Sequence, residues 1–207
     1  MNPVICSSSG LSLGGVVAFE MSRQLENAGE KVSLLTIIDT PAPHVMQKLA
    51  IDDLLLMLDF AEVMGLLPEN IGLSKEEALQ MSVHERLAHV LERGQREGAI
   101  PSEISLATIE QLWEVFRKNV QALMVYAAGN YSGNATLFKT AETSAVYSRE
   151  SNAMGWEELI TGGLEVEELP GTHQSIVRNP YVEVLASRLR AHLSEAQRDE
   201  LLVKGTL

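Results

Sequence analysis

Val4-Ile5-Cys6-Ser7-Ser8-Ser9-Gly10-Leu11-Ser12-Leu13-Gly14-Gly15 opens the chain, and the reading of this stretch decides the fold. Val4-Ile5-Cys6 is a short continuous apolar run, the pattern of a strand buried on both faces. Immediately downstream, Gly15–Asn27 carries Val17, Met21 and Leu25 at helical spacing with Ala18 and Phe19 beside them, and Gly29 sits where such a helix stops. The serine between two glycines therefore falls on a strand-to-helix turn. Val32–Ile38 is a second apolar run, closed by Asp39-Thr40-Pro41. Strand, helix and strand within about 35 residues make a βαβ unit, which implies a parallel sheet covered by helices on both faces.

From about His44 to Tyr126 the pattern becomes wholly helical. Ser74-Lys75-Glu76-Glu77 and Ser82-Val83-His84-Glu85 are two capping boxes, each opening a helix. Ile109, Leu112, Trp113, Phe116, Val120, Leu123 and Met124 form one long apolar stripe at 3.6-residue spacing. Connections in compact domains span only a few residues, so a helical insertion of roughly eighty residues predicts a lid over the strand ends. Strands are expected again at Ala135–Lys139 and Leu164–Leu169, a short helix at Trp156–Thr161, and a last helix after Pro180 with Val184, Leu185 and Leu189 on one face. The expected organisation is an α/β core from residues 1–43 and 127–195, a helical lid from 44–126, and a polar tail from 196–207.

Composition narrows the function. Of 207 residues, 16 are Lys or Arg and 28 are Asp or Glu, a net charge of −12 that repels phosphate backbones. Nucleic acid and anionic membranes are thus poor partners. The single cysteine, Cys6, excludes an internal disulfide and a Cys-rich zinc site, and a cytoplasmic location is expected. The apolar stretch Leu54–Leu67 is interrupted by Asp59 and Glu62, too short and too charged to span a bilayer. The N-terminus has no basic region and no apolar segment of signal-peptide length.

Gly10-Leu11-Ser12-Leu13-Gly14 fits G-x-S-x-G, the nucleophile elbow, in the strand–turn–helix setting that the motif demands. Glycine flanks a serine there because a side chain at either position is expected to clash with the strand or helix packed close by. The turn also presents the serine at a helix N-terminus, where free N–H groups favour a developing negative charge. Such a serine needs a base and an orienting acid, in chain order Ser, Asp or Glu, His. Asp39 stands at the C-terminal end of the next strand, where parallel sheets place functional groups, although a turn residue ahead of Pro41 reads the same way. Among five histidines, His84 and His89 fall in a charged helix, His44 follows a proline turn, and His192 lies in the last helix near Arg188 and Arg190. His173, in the loop Pro170-Gly171-Thr172-His173-Gln174-Ser175 after a late strand, is the one placed to swing over the strand ends.

With these residues in hand, the sequence resembles the α/β-hydrolase thioesterase domains that release products from nonribosomal peptide synthetases and polyketide synthases. The likeness rests on Gly10–Leu25, on Leu35-Thr36-Ile37-Ile38-Asp39-Thr40-Pro41, and on a late block from Gly155-Trp156 through Leu169-Pro170-Gly171-Thr172-His173-Gln174-Ser175-Ile176, followed by Asn179-Pro180. It runs from about Pro3 to Leu193. The resemblance implies a Ser12–His173–Asp39 triad, an oxyanion held by the Leu13 N–H, and a lid from the helical middle. It also implies an acyl or peptidyl carrier-protein domain as partner, presenting an acyl thioester on its phosphopantetheine arm. No metal or redox cofactor is implied.

One departure is large. In that fold a second oxyanion donor comes from a loop after an earlier strand, and only eleven residues precede Ser12, enough for one strand. The opening strands of the fold are absent from this stretch and its first strand has a free edge, so the expectation is either a fragment of a longer hydrolase, completed by missing sequence, or a dimer that covers the edge. Two other readings stay open at this point. One is a stand-alone serine ester or thioester hydrolase. The other is a catalytically silent fragment that acts as a structural or interaction module.

Overall fold

β1 (Ile5–Leu11) extends beyond the apolar triplet that announces it, taking in Ser7, Ser8 and Ser9. The computed structural model describes residues 5–49, 51–142 and 151–205, so Val4 lies outside the described residues. The serines are tolerated because Ser7 and Ser9 are exposed, while the Ser8 hydroxyl donates to the Ala18 carbonyl at 3.2 Å. α1 (Leu13–Asn27) starts two residues before the expected Gly15. β2 (Lys31–Ile38) follows it.

β3 (Asn134–Thr140) and β4 (Gly163–Leu169) complete a four-stranded sheet in the order β1-β2-β3-β4, every neighbouring pair parallel. Alternation along β2 sorts its residues to two faces. Ile37 faces α1, where Gly15 packs against it, and Phe19 meets Trp156 and Tyr131 at ring separations of 5.0 and 6.2 Å. Ile38, one residue on, joins Phe138, Leu169, Ile176 and Leu185 on the opposite face. Leu185 belongs to α8 (Tyr181–Gly205), which continues through the stretch expected as a polar tail. The sheet thus carries helices on both faces. A 3₁₀ turn at Trp156–Glu158 occupies the expected short helix.

Two compact units make up the chain: residues 1–48 with 126–207, and residues 49–125. α2 (Pro43–Met46) belongs to the first. At the boundary, the Gln47 Nε2 donates to the Tyr126 carbonyl at 2.8 Å. The second unit comprises α3 (Asp53–Val63), α4 (Pro68–Ile71), α5 (Lys75–Gln80), α6 (Val83–Arg96) and α7 (Leu106–Val125). Both capping boxes form: Ser74 and Glu77 exchange hydrogen bonds at the start of α5, and Ser82 and Glu85 do so at the start of α6. The unit has its own core, in which Phe60 sits 5.4 Å from the Trp113 ring and 5.5 Å from Phe116.

Among the described residues β1 has β2 on one side and no strand on the other. Val17 and Met21 of α1, the helix that follows β1, stand 49% and 54% exposed. Among the described residues, no helix is long and apolar enough to cross a membrane.

Candidate active site

Ser12 occupies a backbone conformation that side chains rarely adopt, φ 55° and ψ −133°, a strain of about 1–3 kcal/mol held in place by its surroundings. Its N–H donates to the Ile38 carbonyl at 3.3 Å, and its carbonyl accepts from the Thr40 hydroxyl at 2.9 Å and the Gly15 N–H at 2.8 Å. These bonds tie the turn after β1 to the turn after β2. Close packing explains two of the glycines: a Cβ on Gly10 would lie 1.9 Å from the Gly14 carbonyl oxygen, and one on Gly15 would lie 2.5 Å from the Thr40 hydroxyl. Gly14 corrects the expectation that both flanks of the serine are sterically required. A Cβ there meets nothing within 4 Å, because the position points away from the sheet and Gly15 makes the close approach instead. Ser12 itself is exposed, and the Leu13 N–H at the first position of α1 meets no acceptor among the described residues. That is an N–H placed as an anion donor at a helix start.

Asp39 also has a positive φ, 44°, and is 4% exposed. Its N–H donates to the Phe138 carbonyl at 2.6 Å. The carboxylate is divided between two tasks. Oδ1 accepts from the Thr140 N–H at 2.7 Å and the Thr140 hydroxyl at 3.0 Å, while Oδ2 faces the His173 Nδ1 at 2.9 Å. Burial pushes this carboxyl up, but the His173 ring and the Thr140 donors outweigh it and hold Asp39 below the ordinary carboxylate value. A carboxylate only accepts, so in this hydrogen bond the His173 Nδ1 is the donor.

His173 is delivered by the loop after β4. Thr172 and Ser175 brace that loop reciprocally: the Thr172 N–H donates to the Ser175 hydroxyl at 2.8 Å, and the Ser175 N–H to the Thr172 hydroxyl at 3.2 Å. Ser12, Asp39 and His173 thus follow β1, β2 and β4 at the same, C-terminal, end of a parallel sheet, and the structure brings Asp39 and His173 into direct contact. The other histidines have separate partners. His84 pairs with Glu110 at 2.7 Å, His89 with the Ile71 carbonyl at 2.8 Å, His192 with Glu167 at 2.6 Å, and His44 lies 3.5 Å from Glu158.

Two supporting residues carry no signal in the sequence. Thr140 fixes Asp39, and Thr40 links the Ser12 turn to Trp156, whose Nε1 donates to the Thr40 carbonyl at 2.6 Å. Their only clue is position, one at the end of β3 and one just past the end of β2. Glu165, Glu167 and His192 are the one group among the described residues whose donor atoms lie close enough to share a metal ion. Arg188 already sits 3.7 Å from Glu167, so a cation there would meet a guanidinium.

A family profile described as "Thioesterase domain" matches residues 9–193, most of the chain. The chain belongs to the thioesterase domain family. The thioesterase domain is 29% identical over 201 residues to the non-reducing polyketide synthase stmB of Aspergillus ustus, covering 87% of this chain and 9% of that protein. It is 24% identical over 190 residues to a dimodular nonribosomal peptide synthase of Bacillus subtilis, covering 91% of this chain and 8% of that one. The domain therefore spans less than a tenth of these two relatives' length. Solved thioesterase domains share its fold. The Vlm2 thioesterase domain matches with a TM-score of 0.57 at 20% identity, covering 89% of this chain and 67% of that one. The NocB thioesterase domain, solved as a covalent complex with a fluorophosphonate nocardicin G analogue, matches with a TM-score of 0.57 at 22% identity, covering 89% and 64%. The fold is the thioesterase α/β-hydrolase type, a parallel sheet with flanking helices.

Proposed function

We propose that this domain releases acyl, peptidyl or polyketide chains from a carrier-protein phosphopantetheine thioester through a Ser12 acyl-enzyme. The observation that carries the reading is the buried Asp39 carboxylate against the His173 Nδ1, at the sheet end that also holds the strained Ser12 turn. His173 Nε2 takes the Ser12 hydroxyl proton as Oγ attacks the thioester carbon. The tetrahedral oxyanion leans on the Leu13 N–H, the C–S bond breaks, and the thiol leaves with the proton. Water, or a nucleophile within the chain, then resolves the ester. The relatives are polyketide and nonribosomal peptide synthases, which supports a carrier domain as the source of substrate over a free ester.

A solved relative was captured as a covalent fluorophosphonate complex, so the same chemistry tests this chain. Intact-mass spectrometry after fluorophosphonate treatment should show one adduct on the wild type and none on Ser12→Ala. A folded wild type that stays unlabelled overturns the proposal. Turnover of a carrier-bound acyl thioester against a simple ester separates the carrier reading from a stand-alone hydrolase.

The open side of β1 among the described residues, together with the exposed apolar Val17 and Met21 of the following helix, supports a second proposal, that this edge pairs with another chain. Light scattering that shows a monomer unaffected by Met21→Lys removes the dimer form of it.

A further inference from the structure

The helical unit holds an apolar cavity of its own, with a volume of about 240 Å³. Leu55, Met57, Leu58, Ala61, Ile71 and Val90 supply much of its wall. Leu55 and Leu58 remain 42% and 37% exposed at its opening, so the space is reachable from solvent. Two cations also line it, Lys75 and Arg86. Lys75 makes no ion pair or hydrogen bond among the described residues, and Arg86 spends Nε and Nη2 on the Met81 carbonyl while meeting no carboxylate. By contrast, Arg93, Arg96 and Arg117 of the same unit are each paired with a glutamate.

In a chain with a net charge of −12, two uncompensated cations on the wall of one apolar cavity need a reason. The cavity's acidic lining residue, Asp52, makes no ion pair with either of them among the described residues; its Oδ1 accepts from the Leu54 and Leu55 N–H groups of α3. The His89 Nε2 N–H is already spent, donating to the Ile71 carbonyl.

We propose that this cavity is a binding site for a medium-chain alkyl carboxylate. The hydrocarbon tail fills the space between α3, α5 and α6, and the carboxylate takes the unused donors of Lys75 and Arg86. At roughly 30 Å³ per methylene-sized group, the volume accommodates a tail of about eight carbons. The site uses no residue of the Ser12–Asp39–His173 set, so it stands or falls independently of the proposed reaction.

The test is calorimetric titration of the full chain with octanoate and, separately, with 1-octanol. Octanoate should bind with one site per chain, and the alcohol roughly tenfold more weakly, the fold-change that hydrogen bonds to a charged group provide. Leu58→Asp places a carboxylate in the wall and should abolish octanoate binding. Lys75→Glu, at an exposed first position of α5 where an acidic residue suits the helix, should keep the fold by circular dichroism and weaken octanoate at least fivefold. No octanoate binding by the wild type overturns the proposal. So does equal affinity for the alcohol, or octanoate affinity that neither substitution changes.

Discussion

Asp39 has two oxygens with different duties, and this division makes its substitutions informative. Asp39→Asn keeps the shape but puts an amide N–H into one of those positions, which scrambles the His173 tautomer. Turnover should fall on the order of 10⁴-fold with little change in folding. Thr140→Val removes the hydroxyl bond to Oδ1 and leaves the backbone N–H bond in place. Its expected effect is a roughly tenfold loss in kcat at unchanged KM, reversed by Thr140→Ser. A loss expressed in KM instead would show that Thr140 acts elsewhere. The sign of the pH effect follows from the depressed carboxyl. Protons bind more weakly to folded Asp39 than to the unfolded chain, so its stabilising contribution is complete above the ordinary value of 3.8 and disappears as pH falls through the lower folded value. In acid titrations monitored by circular dichroism, Asp39→Asn should flatten the wild-type loss of stability below that pH.

α1 is fastened to the rest of its unit through Glu20. Its carboxylate accepts from Arg23 at 2.8 Å and from the Tyr126 hydroxyl at 2.5 Å, and Arg23 foremost holds Glu20 down to about 2 from 4.5. Folded Glu20 thus binds its proton less readily than the unfolded chain does. Its contribution is present above 4.5 and is lost between 4.5 and about 2. Glu20→Gln should lower stability by about 1 kcal/mol at neutral pH, discounted for the partly exposed side chain, and by nothing near pH 2. Thermal melts of both proteins across that range measure it; a gap that persists at pH 2 would mean the bonds do not depend on charge. At this scale the sequence was readable where polarity and period agree, as in β2 and the two capping boxes. It was unreadable at Ser7–Ser9, because an edge position that leaves Ser7 and Ser9 exposed, and an acceptor for the Ser8 hydroxyl, let polar residues into β1 without any apolar signal.

For the molecule as a whole, the parallel sheet and the placing of Ser12, Asp39 and His173 at one sheet end were legible, because Ser12 lies on a glycine turn into a helix, Asp39 closes an apolar run, and His173 sits in a Pro-Gly loop after a late strand. What stayed hidden was the set of supports. Thr140 and Thr40 are ordinary threonines until β3 is paired beside β2, a long-range fact that no local pattern carries. Gly14 shows the reverse case, a motif position whose expected steric reason belongs to its neighbour Gly15. The division into two units is itself testable. Replacing residues 49–125 by a short Gly-Ser linker should leave a folded protein in which Trp156 keeps the fluorescence of a buried indole, since that ring's contacts with Phe19 and Thr40 lie wholly within the first unit. An exposed-indole spectrum would show that the helical unit is needed for the sheet to form.

The hydrogen bond from Gln47 to the Tyr126 carbonyl gives that division a further meaning. Both ends of residues 49–125 emerge from one stapled point on the sheet unit. Closing a loop there depends on its length only logarithmically, about 0.6 kcal/mol for each doubling. The sheet unit is consequently a socket: whatever segment is plugged in between positions 48 and 126 can grow, shrink or be exchanged wholesale at small entropic expense, while the strands that hold Ser12, Asp39 and His173 keep their register.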